Sequence, residues 1–273
     1  MYKKTFLLVA IFGLFSTICA KKSEEKPIVV LITSYNNAQW YQKNLDSALN
    51  QNYKNYRIIY VDDCSPDGTG DLVQQYIYEN DWQDMVTLVK NKTRKLKMEN
   101  FYNAVHNLCE DEEIIIDLDG DDWWVDENVL TKINEAYADP QVWITYGTYA
   151  TWPNPEGCVC DVIPKRVVRE NSYRQYRWVT SQQRTFYAWL FKKIDPEHFK
   201  YDGEFLDMAC DVAYMFPMLE MAGGRFKYIT DVIYVYNRAN ILNDNKKDMF
   251  RQRLLDGYIR GIKRYEKIER SEI

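Results

Sequence analysis

Four aspartates lie in and directly after an apolar run near the middle of the chain. The stretch IIIDLDGDDWW begins at Ile114 and has carboxylates at Asp117, Asp119, Asp121 and Asp122. Carboxylates this close repel one another unless a cation lies between them. Because Mg²⁺ and Mn²⁺ prefer oxygen ligands and keep open positions for substrate phosphates, the stretch predicts a divalent metal site at the end of a buried strand.

Two other interpretations of the acidic stretch remain open. In an EF-hand loop, Asp122 would stand at the position of the sharp-turn glycine and Asn128 at that of the bidentate glutamate, so this loop fits poorly. A solvated acidic turn is the other alternative, since clusters of charge often only face water. Gly120 lets the backbone turn tightly between the aspartates.

Composition limits the possible classes of protein. The chain has 273 residues, of which 46% are hydrophobic, so it can bury a full core as one large α/β domain. A formal net charge of −5 argues against a general affinity for nucleic acid. Aromatic residues make up 15% of the chain and can line sites for sugars or nucleotide bases, although ordinary core packing uses them as well.

The N-terminus is typical of a targeting segment. Lys3 and Lys4 precede an uncharged apolar run from Thr5 to Ala20, and the next residues are strongly polar. This order predicts a secretory signal peptide over residues 1–20 and a polar spacer over residues 21–26, and hence a location in the secretory pathway or cell envelope. A membrane anchor, with membrane association through the N-terminus, is the alternative, although the run is shorter than the roughly 20 residues of a comfortable span.

Apolar runs and amphipathic stretches alternate along the first half of the chain. Strands buried on both faces are predicted at Pro27–Ile32 and Tyr56–Val61, and a third strand at Met85–Lys90. Helices are predicted from Ala38 to about Gln51 and from Phe101 to Leu108. This alternation predicts an α/β fold with a doubly wound, mostly parallel sheet and helices on both faces.

Polar clusters follow three of the predicted strands at the points where these strands end. They are Thr33–Asn37, Asp62–Thr69 and Asp117–Trp124. Ligands of doubly wound sheets bind beyond the carboxyl ends of the strands, so the three clusters predict one shared site. The sequence has no G-x-G-x-x-G after its first strand and no G-x-x-x-x-G-K-[ST], which argues against a dinucleotide-binding dehydrogenase and a P-loop enzyme.

The polar clusters and the strands before them resemble the successive motifs of family 2 glycosyltransferases. The segments that carry the resemblance are Pro27–Tyr35, Val61–Thr69 and Leu118–Asp122, and their order and spacing match the GT-A fold of that family. The resemblance covers residues 27 to about 125. Cys64 departs from it, because the family commonly has glycine there, and we expect the turn to tolerate the cysteine.

The resemblance implies a nucleotide-sugar donor site with a divalent cation, Mg²⁺ or Mn²⁺. In the family, the first strand end and the paired aspartates after the second strand hold the nucleotide, usually uridine diphosphate. The corresponding residues here are Thr33, Ser34, Tyr35, Asp62 and Asp63. The D-x-D element Asp119-Gly120-Asp121 is expected to contact ribose through Asp119 and to hold the metal through Asp121 and Asp119.

Basic residues near the predicted site are candidates to bind the diphosphate. Arg94 or Lys95, in a stretch loosely similar to an Asn-and-Arg-containing loop of the family, is expected to meet it. A solvated basic turn is the alternative. Arg184 begins a segment similar to one that precedes the catalytic loop in some members. It is a candidate to hold a diphosphate or acceptor oxygen, or else an exposed loop arginine.

A general base is expected just before an apolar helix that ends at Gly223. The family usually has a Glu-Asp pair there, whereas this chain has Cys210-Asp211, so the glutamate is missing. The resemblance makes Asp211 the candidate general base. Asp207 is the runner-up, because it lies one turn earlier on the same face if the segment is helical. Without a catalytic role, Asp211 would be a carboxylate that faces the macrodipole at a helix N-terminus.

The rest of the chain is predicted to complete the same domain. Residues 27–125 form the nucleotide-sugar-binding half, residues 126–240 the acceptor-binding half, and residues 241–273 a C-terminal helix. Phe226–Ile229 and Val232–Val235 suggest a closing hairpin or two short strands.

The C-terminal helix is basic and has one predicted apolar face. That face includes Phe250, Leu254 and Tyr258, spaced four residues apart. The spacing predicts packing against the core, with an interfacial membrane helix as the alternative.

The resemblance to family 2 implies a metal-dependent, inverting glycosyltransferase of the hexosyltransferase type. It would move a sugar from a nucleotide-sugar donor, with UDP as the expected nucleotide, to a hydroxyl of a glycan, lipid or protein acceptor. A sugar nucleotidyltransferase would need a glycine-rich phosphate loop with a basic residue after the first strand, and residues 33–37 have neither. A non-catalytic nucleotide- or sugar-binding protein on the same fold would be expected to lose Asp121 or Asp211, and both are present.

Overall fold

A computed structural model describes residues 24–242 and 248–269. The predicted signal peptide over residues 1–20 lies outside the described residues. Within them, no helix has both the length and the apolar character that crossing a membrane requires.

Strands and helices alternate from the start of the described chain to the acidic stretch. The elements are β1 (Ile28–Ser34), α1 (Tyr41–Leu49), β2 (Tyr56–Asp62), α2 (Thr69–Glu79), β3 (Val86–Lys90), α3 (Leu96–Leu108) and β4 (Ile114–Asp119). Apolar and β-branched runs form the strands because such residues favour extended backbone where both faces are covered. The predicted alternation is confirmed, although α3 begins at Leu96 and not at Phe101.

The second half of the chain has shorter and less regular elements. They are β5 (Trp123–Trp124), α4 (Val129–Ala136), β6 (Ile144–Trp152), α5 (Lys165–Arg169), β7 (Arg184–Tyr187), α6 (Ala188–Lys192), β8 (Lys200–Tyr201), β9 (Glu204–Phe205), α7 (Cys210–Ala222), β10 (Phe226–Asn237) and α8 (Met249–Gly261). Helix α7 is followed by Gly223, whose φ of +56° is a conformation that glycine adopts without strain.

Eight strands of the described chain form one sheet in the order β3-β2-β1-β4-β7-β6-β10-β5. β1 pairs in parallel with β2 and β4, β2 with β3, and β6 with β10. β7 runs antiparallel to β4 and β6, and β5 runs antiparallel to β10. Because β1, β2 and β4 run in the same direction, their carboxyl ends meet at one edge, and the three polar clusters lie there.

The two faces of the sheet carry separate apolar clusters, each covered by helices. On β1, Val29 and Leu31 belong to the cluster that includes α3 and α7, whereas Val30 and Ile32 belong to the cluster that includes α1, α2 and α4. This alternation follows from the period of two along a strand. The expected α/β fold, with a mostly parallel sheet and helices on both faces, is confirmed.

The segment from Phe226 to Asn237 forms one long strand, so the predicted closing hairpin is wrong. β10 pairs in parallel with β6, and the register shifts between Ile229 and Val232. Such a shift in register accommodates extra residues in one strand without reversing the chain. It interrupts the apolar alternation, and in the sequence this interruption resembles a turn.

The C-terminal helix α8 packs through a different face from the one predicted. Leu255 and Ile259 are buried, whereas Phe250, Leu254 and Tyr258 are exposed. Two apolar stripes lie side by side on this helix, and helical spacing alone does not decide which of them meets the core.

Candidate active site

A cleft of about 940 Å³ lies at the carboxyl ends of β1 and β4. It is lined by almost all of the predicted site residues, namely Thr33, Ser34, Tyr35, Asp63, Arg94, Asp119, Asp121, Arg184, Asp207 and Asp211. Asp62 and Lys95 are the exceptions. The side chain of Asp62 is buried and lies against Gly70, and Lys95 pairs with Glu99. Both halves of the chain therefore contribute to one site.

The acidic stretch turns at Gly120, directly against the end of β1. A Cβ atom at this position would lie 2.7 Å from Cβ of Ser34 and 2.9 Å from Nδ2 of Asn37, so glycine alone fits without displacing a neighbour. The N–H of Gly120 donates a 3.1 Å hydrogen bond to the carbonyl oxygen of Thr33. This close approach sets the D-x-D element beside the predicted nucleotide-binding segment.

Asp121 and Asp122 are adjacent but have different surroundings. Asp122 is fully buried and accepts hydrogen bonds from the hydroxyl of Tyr234 at 2.5 Å and from the N–H of Asn237 at 2.7 Å. Asp121 lines the cleft and accepts a 2.7 Å hydrogen bond from the side-chain amide of Asn240. Asp122 thus anchors the turn, while Asp121 can meet a ligand.

The carboxylates of Asp119 and Asp121 fit a divalent cation by the chemistry of their donor atoms. Burial and the neighbouring charge of Asp119 raise the pKa of Asp121 to about 6, so a cation would relieve an unfavourable concentration of negative charge. The described residues contain no group of three or more Asp, Glu, His or Cys side chains arranged to hold a metal ion. Mg²⁺ is commonly held by one or two carboxylates together with substrate phosphates, and this site offers two carboxylates.

The second polar cluster organises the loop that follows β3. Asp63 is buried, and its carboxylate accepts hydrogen bonds from the backbone N–H groups of Lys95 and Leu96, both at 2.8 Å. The side chain of Asn91 donates another at 2.9 Å. In the same turn, Cys64 has a φ of +60°, a conformation that favours glycine but that the cysteine adopts here.

Arg94 and Lys95 are neighbours in sequence but not in their contacts. The guanidinium of Arg94 lies 3.8 Å from the ring centroid of Tyr35 and lines the cleft. The ammonium of Lys95 pairs instead with Glu99 on α3, at 3.1 Å. Of the two predicted diphosphate contacts, the fold presents Arg94 to the cleft and holds it by a cation–π contact.

A buried ion network adjoins the cleft and centres on Asp117. Arg184 on β7 lies opposite Asp117 on β4 and donates hydrogen bonds from Nη2 and Nε to its Oδ2, at 2.7 and 3.1 Å. Lys97 lies 3.2 Å from the same carboxylate and also pairs with Asp119. Burial alone would raise the pKa of the Asp117 carboxyl, but Lys97 and Arg184 hold it at about 2. Arg184 is therefore a buried strand residue and not an exposed loop arginine.

Asp211 lies in the first turn of α7 and lines the cleft. Its Oδ2 is 3.5 Å from Nη1 of Arg184. Burial raises the pKa of the Asp211 carboxyl, and the positive charges of Arg184 and Lys97 offset this effect only in part. A carboxylate whose pKa is raised in a cleft is suited to accept a proton from a substrate.

Asp207 does not share a helical face with Asp211, so that part of the prediction is wrong. Helix α7 begins at Cys210, and Ala209 before it has a left-handed backbone with a φ of +56°. The carboxylate of Asp207 pairs with Arg251 at 3.2 Å. Asp207 lies in the non-helical segment that precedes α7, so helical spacing does not relate its side chain to that of Asp211.

Sequence reasoning missed several polar residues of the site. Lys97 belongs to the same basic stretch as Arg94, which was a usable signal, but only the start of α3 directs it to Asp119. Gln182 has its Nε2 3.4 Å from Oδ2 of Asp119, and Asn240 donates to the neighbouring aspartate. These two residues come from distant segments without a motif, so nothing local indicated them.

The first half of the chain matches a sequence family. Residues 29–153 match the model of glycosyl transferase family 2. This match, just under half of the chain, is to the family that the motifs resemble. The matched residues run from β1 to the end of β6 and include all three polar clusters, so the resemblance seen in the motifs is confirmed.

Curated relatives align with this chain over different lengths. TuaG and EpsE of Bacillus subtilis (strain 168), both named as glycosyltransferases, are 46% identical over 52 residues and 32% identical over 95 residues. These alignments take in 19% and 35% of this chain, and 21% and 33% of the relatives, so the chain spans about a third or less of their lengths. Glycosyltransferase GlyG of Streptococcus pneumoniae serotype 4 is 24% identical over 78% of this chain and 71% of its own length.

Solved structures share the fold of this chain. The crystal structure of residues 1–349 of TarS from S. aureus is 16% identical, with a TM-score of 0.59 over 77% of this chain and 60% of that chain. The mannosyltransferase PcManGT from Pyrobaculum calidifontis is 22% identical, with a TM-score of 0.56 over 78% and 57%. At such identity the likeness concerns the fold, and the GT-A-like architecture is confirmed.

Proposed function

We propose that this chain is a metal-dependent glycosyltransferase that moves a sugar from a nucleotide-sugar donor, with UDP as the nucleotide, to an acceptor hydroxyl with inversion. The observation that carries the proposal is that Asp119, Asp121 and Asp211 line one cleft. Asp119 is the last residue of β4, and Asp121 lies in the turn after it. Asp211 lies in the first turn of α7. The donor-side carboxylates and the candidate base therefore face the same space.

The donor side of the cleft has features that suit a nucleoside diphosphate. Thr33, Ser34 and Tyr35 end β1 at the cleft, and Arg94 adds a cation beside them. TarS has been crystallised in complex with UDP-GlcNAc and with UDP, and PcManGT in complex with GDP-Man and Mn²⁺. These ligands support a nucleotide-sugar donor for this chain, with uridine diphosphate as the first nucleotide to test.

Asp119 and Asp121 are the residues that would hold the divalent cation, Mg²⁺ or Mn²⁺. When bound, the cation would neutralise negative charge that develops on the diphosphate leaving group. The protein restrains both carboxylates, since Lys97 pairs with Asp119 and Asn240 donates a hydrogen bond to Asp121. The donor-side aspartates are thus held in place before a ligand arrives.

Asp211 would accept the proton of the acceptor hydroxyl as this hydroxyl attacks the anomeric carbon. A single displacement inverts that carbon and needs no covalent sugar intermediate. Arg184 lies 3.5 Å from the Asp211 carboxylate and restrains it. Trp178 lines the same cleft and is an aromatic candidate to contact the acceptor, for which glycan, lipid and protein hydroxyls are the candidates.

Calorimetric titration of the full chain with uridine diphosphate, with and without Mn²⁺, tests the donor site. We expect metal-dependent binding that Asp121→Ala weakens by about tenfold or more, because one of two carboxylate ligands is lost. Asp84→Ala is the matched control, since Asp84 is exposed and outside the cleft. Release of UDP from UDP-sugars in the presence of acceptors then tests transfer.

Failure of the folded wild-type protein to bind uridine diphosphate with metal would contradict the donor assignment. Binding without turnover on any donor and acceptor would favour a non-catalytic nucleotide-binding protein on the same fold. Equal binding by wild type and Asp121→Ala would remove Asp121 from the metal site.

A further inference from the structure

Asp117 is a fully buried carboxylate that the proposed reaction does not use. It lies two residues before Asp119 on β4 and is 0% exposed, so neither donor nor acceptor can contact it. Burying a carboxylate is strongly unfavourable unless the group is paired and hydrogen-bonded. The partners of Asp117 therefore indicate its role.

Three side chains converge on Asp117. Arg184 donates two hydrogen bonds to Oδ2, at 2.7 and 3.1 Å, and the hydroxyl of Tyr214 donates a third at 2.5 Å. Lys97 lies 3.2 Å from the carboxylate. Arg184 and Tyr214 are at most 2% exposed, so these contacts act in a surrounding of low dielectric, where they are strong and directional.

Two of these partners connect Asp117 to the candidate base. Arg184 lies 3.5 Å from Asp211, and this is the one ion pair of Asp211 among the described residues. Tyr214 lies three residues after Asp211 on α7, on the same helical face, so its hydrogen bond ties the first turn of this helix to β4. Asp117 therefore restrains Asp211 by two independent routes.

The third partner connects Asp117 to the donor side. Lys97 pairs with both Asp117 and Asp119. Asp119 also has Gln182 nearby, at 3.4 Å. Arg184 pairs with Asp119 as well, at 3.8 Å, but this carboxylate keeps Lys97 and Gln182 when Asp117 is changed. Within the described chain, the Asp211 carboxylate otherwise accepts only a local 2.9 Å hydrogen bond from the N–H of Val212, so its long-range contacts both lead to Asp117.

We propose that Asp117 is a positioning residue: through Arg184 and Tyr214 it fixes the carboxylate of Asp211 relative to Asp119. This inference rests on the proposed glycosyl transfer. Asp117 acts from the core of the sheet without touching substrate. Its loss would misplace the candidate base and leave most of the donor site intact.

Two variants test the proposal on the full chain. Asp117→Asn removes the charge at constant shape, and Tyr214→Phe removes one hydrogen bond while keeping the ring that stacks on Phe101 at 5.2 Å. We expect kcat to fall by about 10- to 100-fold, with the donor KM and the calorimetric Kd for uridine diphosphate with Mn²⁺ changed by less than about threefold. The split between kcat and KM separates misplacement of the base from loss of the donor site.

Matched controls remove comparable buried contacts away from the cleft. Glu220→Gln weakens the buried pair that Glu220 forms with Arg174 at 2.6 Å, and Tyr137→Phe removes a buried hydroxyl that contacts Thr185 at 2.8 Å. Both controls are expected to lose stability, and their kcat should stay at the wild-type value under conditions where each variant is folded.

The outcomes separate the two proposals. If the wild type transfers sugar and Tyr214→Phe and Asp117→Asn retain its kcat, the positioning role is refuted and the glycosyl transfer stands. If Glu220→Gln lowers kcat as much as Asp117→Asn does, the role of Asp117 is only structural. If Asp117→Asn does not fold, Tyr214→Phe decides alone. A folded wild type that neither binds nor transfers refutes the proposed function and the role of Asp117 with it.

Discussion

Nη1 of Arg184 lies 3.5 Å from Oδ2 of Asp211, while Nη2 of the same guanidinium donates a 2.7 Å hydrogen bond to Asp117. A side chain that is 2% exposed thus joins the middle of the sheet to the first turn of α7. The two aspartates come from opposite halves of the chain. Their relative position is therefore set by core contacts, and substitutions at the cleft can test what each group contributes.

Asp211→Asn should remove the proton acceptor at nearly constant shape. We expect kcat to fall by about 10²- to 10⁴-fold, the usual contribution of a general base, with binding of uridine diphosphate retained. Asp207→Asn is the control, because Asp207 lines the same cleft but pairs with Arg251. A greater loss of kcat in Asp207→Asn than in Asp211→Asn would assign the base to Asp207.

The pH dependence of kcat should reflect the raised pKa of Asp211. Burial raises this pKa, and Arg184 opposes the effect only in part. The base acts when it is deprotonated, so kcat should be constant at high pH and should fall as the pH drops through the raised pKa. This acidic limb is expected above the pKa of about 3.9 of an ordinary aspartate. A pH–rate profile at saturating donor measures it, and a limb at or below the ordinary value would contradict the assignment.

Gly120→Ala should destabilise the protein because a Cβ atom at this position would lie 2.7 Å from Cβ of Ser34. We expect the free energy of unfolding to fall by about 1–3 kcal/mol, the usual cost of overpacking. Gly157→Ala is the matched control, since a Cβ atom there would meet nothing within 4 Å. Urea unfolding of both variants measures the difference, and equal stabilities would show that the turn has room to adjust.

Arg94→Ala should weaken the binding of uridine diphosphate with Mn²⁺, because the guanidinium lines the cleft beside Tyr35. We expect a loss of about tenfold in Kd, which corresponds to about one hydrogen bond to a charged group. Lys95→Ala is the neighbouring control, since Lys95 pairs with Glu99 and should leave Kd nearly unchanged. The reverse order of effects would assign the diphosphate contact to Lys95.

Local patterns in the sequence determined the first half of the fold and the place of the cleft proposed to bind the donor. The apolar runs before Thr33, Asp62 and Asp119 predicted β1, β2 and β4, and the structure has strands at these positions. Parallel neighbours end at one edge of a sheet, so polar residues that follow such strands must converge there. For this reason most of the residues predicted for the donor side line one cleft, as expected from sequence alone.

Tertiary structure alone decided the partners of the buried charges. Asp117 lies 67 residues from Arg184 and 97 residues from Tyr214, and no local pattern links them. The packed face of α8 and the single strand β10 were decided in the same way. Spacing and propensity describe how a segment relates to its own sequence neighbours. The free energy of a buried carboxylate depends instead on which cations and donors the rest of the fold brings to it.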